Sequence, residues 1–552
     1  MKPVLSVRGR PFIRLSRTIL PADLGIGATA ASLSVVGGGR GWNFSLADTA
    51  GGRFAISGAN LVVGAAGLDP ATVPMPAIAL TASNGRRSLR KRFALTLRRA
   101  LPSLPLATGA RVAMIGDSLA GYNNYGGTPV PTADAAAGSH AYGPVELSFA
   151  ADPRFDIDSW YDPADPLGRN LQGANQGLFG DHLEWAAAGF AGGTLPRLRA
   201  LLARAKRPAI VILQSGTATI SSGDAGDDQP ASVAYVIGRL ELCLQALRNA
   251  GVWTIPATLY PRGDWPVGDA RHAVLVAVNQ WIRAQAGRDG VIGVWDGWQA
   301  LQSGGMQDAG LFFTDKVHPN QAGALKASTA LPPLLQGAIA AGSVFDQNPL
   351  NATLAAWSTS TLTGTAGAKS GSAVSGQVAN NLGITGGAAG AASAIVCSKE
   401  VIGSSLEKQV LTIAPLVTGG AAYDSATVTF PAITAGLPAA GAWVRMHVFV
   451  EIGDTDAFSN VRLRFLVRDG ATIRAGAYTM VAFSSDFAQV LPGNRGYWLS
   501  SKPMQMPQAA SFDRLIAEMN LFWRKSAPAG AVIKLSRPIV RVVADPRVAW
   551  GY

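Results

Sequence analysis

The sequence predicts a multidomain chain in which a doubly wound α/β domain stands between two β-sandwiches. Composition is the first observation behind this: the 552 residues are 48% hydrophobic but only 15% charged, with 64 glycines and 33 prolines. Such a balance excludes long coiled coils and charge-driven disorder and favours packed domains rich in strands and turns. The length is that of about three ordinary domains. The second observation is a periodicity that changes twice, from alternation to buried strand and amphipathic helix, and back to alternation. The third is uneven charge. Residues 1–100 hold fourteen Lys and Arg against three acids, Asp23, Asp48 and Asp69, a surplus of 11 out of the chain's net +12.

Residues 1–104 alternate in short runs broken by glycine: Ser32–Val36, Phe54–Ile56, Asn60–Val63 and Phe93–Leu97 read as antiparallel strands of a small sandwich. The phrases GGRFAISGANLVVGAAGLDP, IALTASNG and FALTL resemble a cadherin-like or bacterial immunoglobulin-like repeat over about 75 residues. Pro70 and Ala71 follow Asp69 and no acid cluster is near, so the calcium that the resemblance implies is not expected here.

Residues 105–342 change rhythm. Val112–Ile115, Ala209–Leu213, Val252–Ile255 and Val291–Trp295 are short, nearly continuous apolar runs, as parallel strands covered on both faces require. Between them Val233, Ile237, Leu240, Leu244 and Leu247 recur at helical spacing before Gly251, and Leu195, Leu198, Leu201 and Leu202 do likewise. Strand alternating with helix predicts a doubly wound, flavodoxin-like sheet with its ligand site at the carboxyl ends of the strands.

Residues 343–552 open with a Gly, Ala, Ser and Thr rich stretch, Thr359 to Ala394, in which Val374, Val378, Leu382 and Ile384 suggest hidden strands. Clear alternation follows at Thr427–Phe430, Trp443–Val450, Val461–Val467 and Val532–Ser536, predicting a sandwich with jelly-roll-like packing.

Chemistry concentrates in the middle. Gly116-Asp117-Ser118-Leu119 forms a tight turn after the first apolar run, with a serine at a strand's carboxyl end. Gly-Asp-Ser is also ordinary turn and cap chemistry. About 200 residues later comes Asp315-Lys316-Val317-His318-Pro319. An Asp three residues before a His can bond one ring nitrogen and fix the tautomer, leaving the other nitrogen to take a proton from a serine.

Together these blocks resemble the SGNH (GDSL) hydrolase family over about 230 residues. The resemblance implies Ser118 as nucleophile, His318 as general base and Asp315 as its orienting carboxylate. Its glycine block matches Gly189–Thr194, which implies that the amides of Ser118 and Gly192 form the oxyanion hole. The third block departs, because Ala218 stands where the family has an oxyanion-binding Asn. Thr217, Thr219 and Asn123 are the candidate substitutes. Losing one such donor typically costs about 10²- to 10³-fold in rate.

The implied activity is ester hydrolysis through an acyl-enzyme without cofactor. His140, His182 and His272 lack metal-ligand spacing and no metal is expected. Flanking sandwiches point to a polymer, preferentially an O-acetylated polysaccharide bound by the C-terminal domain. The layout also resembles phage or phage-derived appendage proteins, with a catalytically weak glycan-binding spike as the alternative. The basic domain would then dock on a particle or another acidic protein, a virion or cell-surface location follows, and a homo-oligomer stays open. Arg86–Arg92 has the charge for nucleic acid but no aromatic interleaving, so nucleic acid is not the expected partner. Cys243 and Cys397 make no disulfide framework. No membrane span and no cleaved signal peptide are expected, since scattered Arg and Pro interrupt the start of the chain.

Overall fold

The computed structural model describes residues 10–70, 73, 75–121, 140–141, 143–155, 174–178, 180–184, 193–224, 229–351, 354, 361–371, 373–386, 393–403, 405–414, 423–453, 458–480, 495–524 and 530–546. The middle of the chain is organised by four parallel strands in the order Asn175–Gly177, Val112–Gly116, Ile210–Gln214, Trp253–Pro256. Gly116 pairs with both Gly177 and Gln214, so three strands end at one level. The apolar runs of Val112–Gly116 and Ile210–Gln214 are fully buried, as expected for strands covered on both faces.

Two differences from the sequence reading have local causes. The strand Asn175–Gly177 carries no apolar signal; its polar residues are buried by the neighbouring strand and by the helix Ser118–Gly121. The run Val291–Trp295 forms only two isolated parallel bridges, Thr254 to Val291 and Ala257 to Trp295. It is interrupted at Gly293, where a Cβ would lie 2.7 Å from Leu334 Cδ2.

The helix Val233–Asn249 begins at Ser232, whose hydroxyl accepts the Tyr235 amide, and buries Val236, Leu240, Leu244 and Leu247. It ends before Gly251 (φ +73°), where a Cβ would meet the Ala100 carbonyl at 2.5 Å, so the chain passing from the N-terminal region dictates glycine there.

The N-terminal region is sheet-rich. Four strands run in the order Phe12–Leu15, Thr29–Val36, Asn60–Val63, Phe54–Ser57, and three in the order Asn43–Asp48, Ala77–Ser83, Ser88–Ala94. Ile13, Leu33, Phe54, Leu61, Leu80 and Leu97 share its core. The expected strand Phe93–Leu97 is divided at Leu95. Up to Ala94 the chain pairs with Ala77–Ser83, and from Thr96 it runs parallel to Ile19–Pro21. Arg99 pairs with Asp69 at 3.6 Å, and Arg98 with Asp289 at 3.4 Å, so one charge of the basic surplus is met from outside residues 1–100.

Two seven-stranded sheets enclose one core; residues 343–552 supply all their strands except the edge strand His140–Ala141. Val378, Leu382, Val461 and Leu463 come from one sheet, and Leu411, Val444, Met446 and Ile533 from the other. Three strands, Ala366–Ser370, Val374–Gly376 and Val378–Gly386, lie inside the low-complexity stretch. Both cysteines are buried and free. Among the described residues no helix is long and apolar enough to cross a membrane.

Candidate active site

The sequence places a serine immediately after the central strand, and the backbone there tolerates only glycine before it. A Cβ on Gly116 would lie 1.6 Å from the Gln214 carbonyl oxygen, and one on Gly177 would lie 2.0 Å from the Gly121 nitrogen. The three strand ends and the short helix Ser118–Gly121 are thus in direct backbone contact.

Asp117 turns inward rather than toward substrate. Its fully buried carboxylate accepts the amide of Leu119 at 3.1 Å through one oxygen, and those of Gly216 at 3.2 Å and Thr217 at 3.0 Å through the other. Burial pushes it up to about 6 against the pull of these amides. The charged form ties the serine turn to the turn after Gln214.

Arg197, on the helix Thr194–Ala203, is a second brace that the sequence reading missed. Its buried guanidinium donates to the Gly116 carbonyl at 2.9 Å, to the Gln176 carbonyl and to Asp181. Asp181 also accepts from the Thr194 hydroxyl at 2.8 Å. Burial holds the Asp181 carboxyl above its usual range, with Arg197 pulling the other way. The signal was weak, since one Arg on an otherwise apolar helix face reads as a solvated edge.

At the opposite end of the segment, Asp315 to His318 forms a tight turn with Lys316 in the left-handed region (φ +59°). One Asp315 oxygen accepts the amides of Val317 at 2.9 Å and His318 at 3.1 Å; the other lies 2.7 Å from His318 Nδ1. The remaining ring nitrogen, Nε2, lies 2.9 Å from Ser118 Oγ. Partial burial pushes Asp315 upward, but the hydrogen bonds from His318 and the two amides prevail and hold it below the usual carboxylate range. An ionised carboxylate only accepts, so Nδ1 carries the proton and Nε2 is free to take one from the serine. Burial lowers His318 below its usual pKa, opposed by Asp315 and reinforced by Arg262. The imidazole is therefore neutral at pH 7, as a general base must be.

The lysine of this turn is fixed through its carbonyl, which accepts from the Gly263 amide at 3.0 Å and from Gln307 Nε2 at 2.7 Å. Behind His318, the Asn320 side chain donates to the carbonyls of Gly310 and Phe312 and accepts the Gly323 amide, capping the helix Gln321–Ser328.

The structure thus brings Ser118, His318 and Asp315 together. Gly192 and Asn123 lie outside the described residues. Thr219 is buried and its hydroxyl oxygen accepts the Leu183 amide at 2.9 Å, which ties it to the framework. The Thr217 amide is taken by Asp117, while its buried hydroxyl has no partner among the described residues. Ala218 sits half-buried between them on the helix Thr217–Ser222. Trp265, Trp295 and Trp298 are core residues, and Trp295 donates to the Ala327 carbonyl at 3.0 Å. Among the described residues no group of three or more His, Cys, Asp or Glu is placed to hold a metal.

Residues 114–325 match the model of the GDSL-like lipase/acylhydrolase family. No curated protein matches the chain in sequence. Three of the solved structures that match the chain are the following. The enzymatically active domain of bacteriophage CBA120 tailspike protein 4 is 12% identical, with TM-score 0.21, over 30% of this chain and 20% of that one. Human protocadherin-24 EC1-2 is 15% identical, with TM-score 0.15, over 19% of this chain and 52% of that one. A carbohydrate esterase family 3 protein from Talaromyces cellulolyticus is 19% identical, with TM-score 0.24, over 42% of this chain and 96% of that one. The chain therefore spans a fifth of the tailspike and about half of the protocadherin fragment.

Proposed function

We propose that the chain is a serine carboxylic ester hydrolase of the GDSL type whose substrate is an O-acyl, preferentially O-acetyl, ester on a polysaccharide. The observation that carries the chemistry is the Ser118–His318–Asp315 line, with contacts of 2.9 and 2.7 Å. The family match over residues 114–325 supports ester hydrolysis independently of that geometry.

In this reading Ser118 Oγ attacks the ester carbonyl while its proton passes to His318 Nε2. The amides of Ser118 and Gly192 hold the oxyanion. His318 then protonates the leaving sugar oxygen as the ester C–O bond breaks, and Asp315 stabilises the imidazolium. Water, deprotonated by His318, attacks the acyl-enzyme and releases the acid and the serine. No metal or cofactor takes part.

The flanking regions support a polymeric substrate, because a small soluble ester has no need of two sheet-rich neighbours. Residues 1–104 are proposed as a basic docking domain for a phage-like particle or another acidic protein, residues 105–342 as the hydrolase domain, and residues 343–552 as a glycan-binding domain, on a virion or cell-surface appendage. Exposed Arg86, Arg87, Arg90, Lys91 and Arg92 support the first of these assignments. Ala218, in place of the family Asn, favours a second reading, a weakly active or inactive glycan-binding spike.

Acetate release from a panel of acetylated bacterial polysaccharides, with Ser118→Ala as blank, separates the two. Release by the wild type alone is expected. Equal rates for both proteins on the panel and on p-nitrophenyl acetate would remove the esterase reading.

A further inference from the structure

The segments that leave the two ends of the candidate site run into the C-terminal sheets. After the helix Ser118–Gly121, the next described strand, His140–Ala141, pairs in parallel with Thr479 and Met480, as an edge of a C-terminal sheet. The helix that follows, Pro144–Ala151, is buried from Pro144 to Ala150. Val145 and Phe149 belong to the hydrolase core, whereas Leu147 and Ala150 belong to the C-terminal core. A helix buried on every side lies between two packed bodies.

The same holds after His318. The helix Gln321–Ser328, capped by Asn320, gives Ala327 to the hydrolase core and Ala324 and Leu325 to the C-terminal core. The two helices are tied to each other, the Ser148 hydroxyl lying 3.2 Å from the Ser328 carbonyl. Polar groups meet at the same junction. Buried Glu146 faces the charges of Lys502 and Arg445, both also buried. Beyond the hydrolase domain, Phe345 stacks on His447 at 4.2 Å and meets Trp498 edge-on at 5.0 Å.

The geometry points to the C-terminal sheets as a positioning part of the catalytic unit: by holding the helix Pro144–Ala151, on which the helix Gln321–Ser328 packs with Leu325 in the shared core, they set where His318 stands relative to Ser118. The proposal rests on the esterase reading and changes the role of the C-terminal region, from a detachable glycan module to a body without which the catalytic histidine is loosely held. The path is short. Leu325 packs the helix, Asn320 caps it and bonds the carbonyls of Gly310 and Phe312, and the Phe313 amide donates to the His318 carbonyl at 2.9 Å. Misplacing a catalytic group by about 1 Å can cost about 10²-fold in rate.

The test compares full-length Leu325→Ala with Leu325→Met, and with Leu382→Ala, which opens the same C-terminal core on a strand near the far edge of the sheet. Hydrolysis of p-nitrophenyl acetate is measured because so small an ester needs no glycan module. For Leu325→Ala, kcat is expected to fall about ten- to a hundredfold, with KM unchanged within about twofold. Leu325→Met should restore the rate and Leu382→Ala should leave it near wild type. Hydrogen exchange of residues 308–323 should accelerate in Leu325→Ala alone. Wild-type rate and exchange in Leu325→Ala, or equal slowing in Leu382→Ala, would overturn the proposal. If the wild type hydrolyses no faster than Ser118→Ala, the esterase reading has failed instead, and the exchange measurement still decides whether the sheets hold the histidine segment.

Discussion

Replacing Arg197 by Met removes the brace under the serine while keeping most of the side chain's volume. In the native protein the guanidinium is 6% exposed and the Asp181 side chain is fully buried, so neither charge has water to fall back on. After the change, Asp181 keeps the Thr194 hydroxyl at 2.8 Å, and the Gly116 carbonyl keeps the Leu178 amide at 3.1 Å. Breaking a buried pair by deleting one partner costs about 3–5 kcal/mol, chiefly from the charge left behind. Adding Asp181→Asn to Arg197→Met should therefore recover at least about 1 kcal/mol, since it removes the stranded carboxylate. Denaturant midpoints followed by tryptophan fluorescence, at unchanged slope, give the stabilities. Activity on p-nitrophenyl acetate should fall in Arg197→Met and stay low in the double variant, because the Gly116 and Gln176 carbonyls remain without the guanidinium that ties them together. A loss below about 1 kcal/mol in Arg197→Met, or a further loss on adding Asp181→Asn, would refute the view that the pair acts as a buried, mutually compensated brace.

Other changes probe the rest of the site. The rate should fall as pH drops through a pKa below the usual 6.5 of histidine, because His318 must be neutral. Its stabilising contribution is complete above 6.5 and diminishes as pH falls below it, since the unfolded chain binds the proton more readily. Asp315→Asn should lower kcat about 10⁴-fold and move the residual acid limb to lower pH, whereas Arg262→Gln should move it higher; pH–rate profiles check both signs. Gly116→Ala should yield no folded, active protein, given the 1.6 Å approach to Gln214, and solubility with circular dichroism reads this out. Ala218→Asn should raise kcat by up to about 10²-fold if the missing family donor limits the site, as single-turnover acylation would show.

Much of the site was legible because its chemistry is local. Gly116 and Ser118 mark a strand-to-helix turn by residue type alone, and an Asp three residues before a His can reach it within one turn of chain. Most of the strand and helix runs were legible for the same reason, since period-two and helical patterns are properties of neighbours in sequence. Arg197, Thr219 and the strand Asn175–Gly177 were not, because their roles depend on carbonyls and amides supplied by distant segments.

Thus the sequence by itself determined the alternation of sheet and helix, the basic character of residues 1–100, the glycine at position 116 and the types of residue at positions 118, 315 and 318. Tertiary structure alone decided that His318 Nε2 reaches Ser118 Oγ across 200 residues, and that Asp117 faces inward. It also decided that Arg98 and Arg99 are met by Asp289 and Asp69, and that Leu147 and Leu325 belong to the C-terminal core. The physical reason is burial: which polar groups must be satisfied, and which apolar faces must be covered, is set by what the folded chain brings against them.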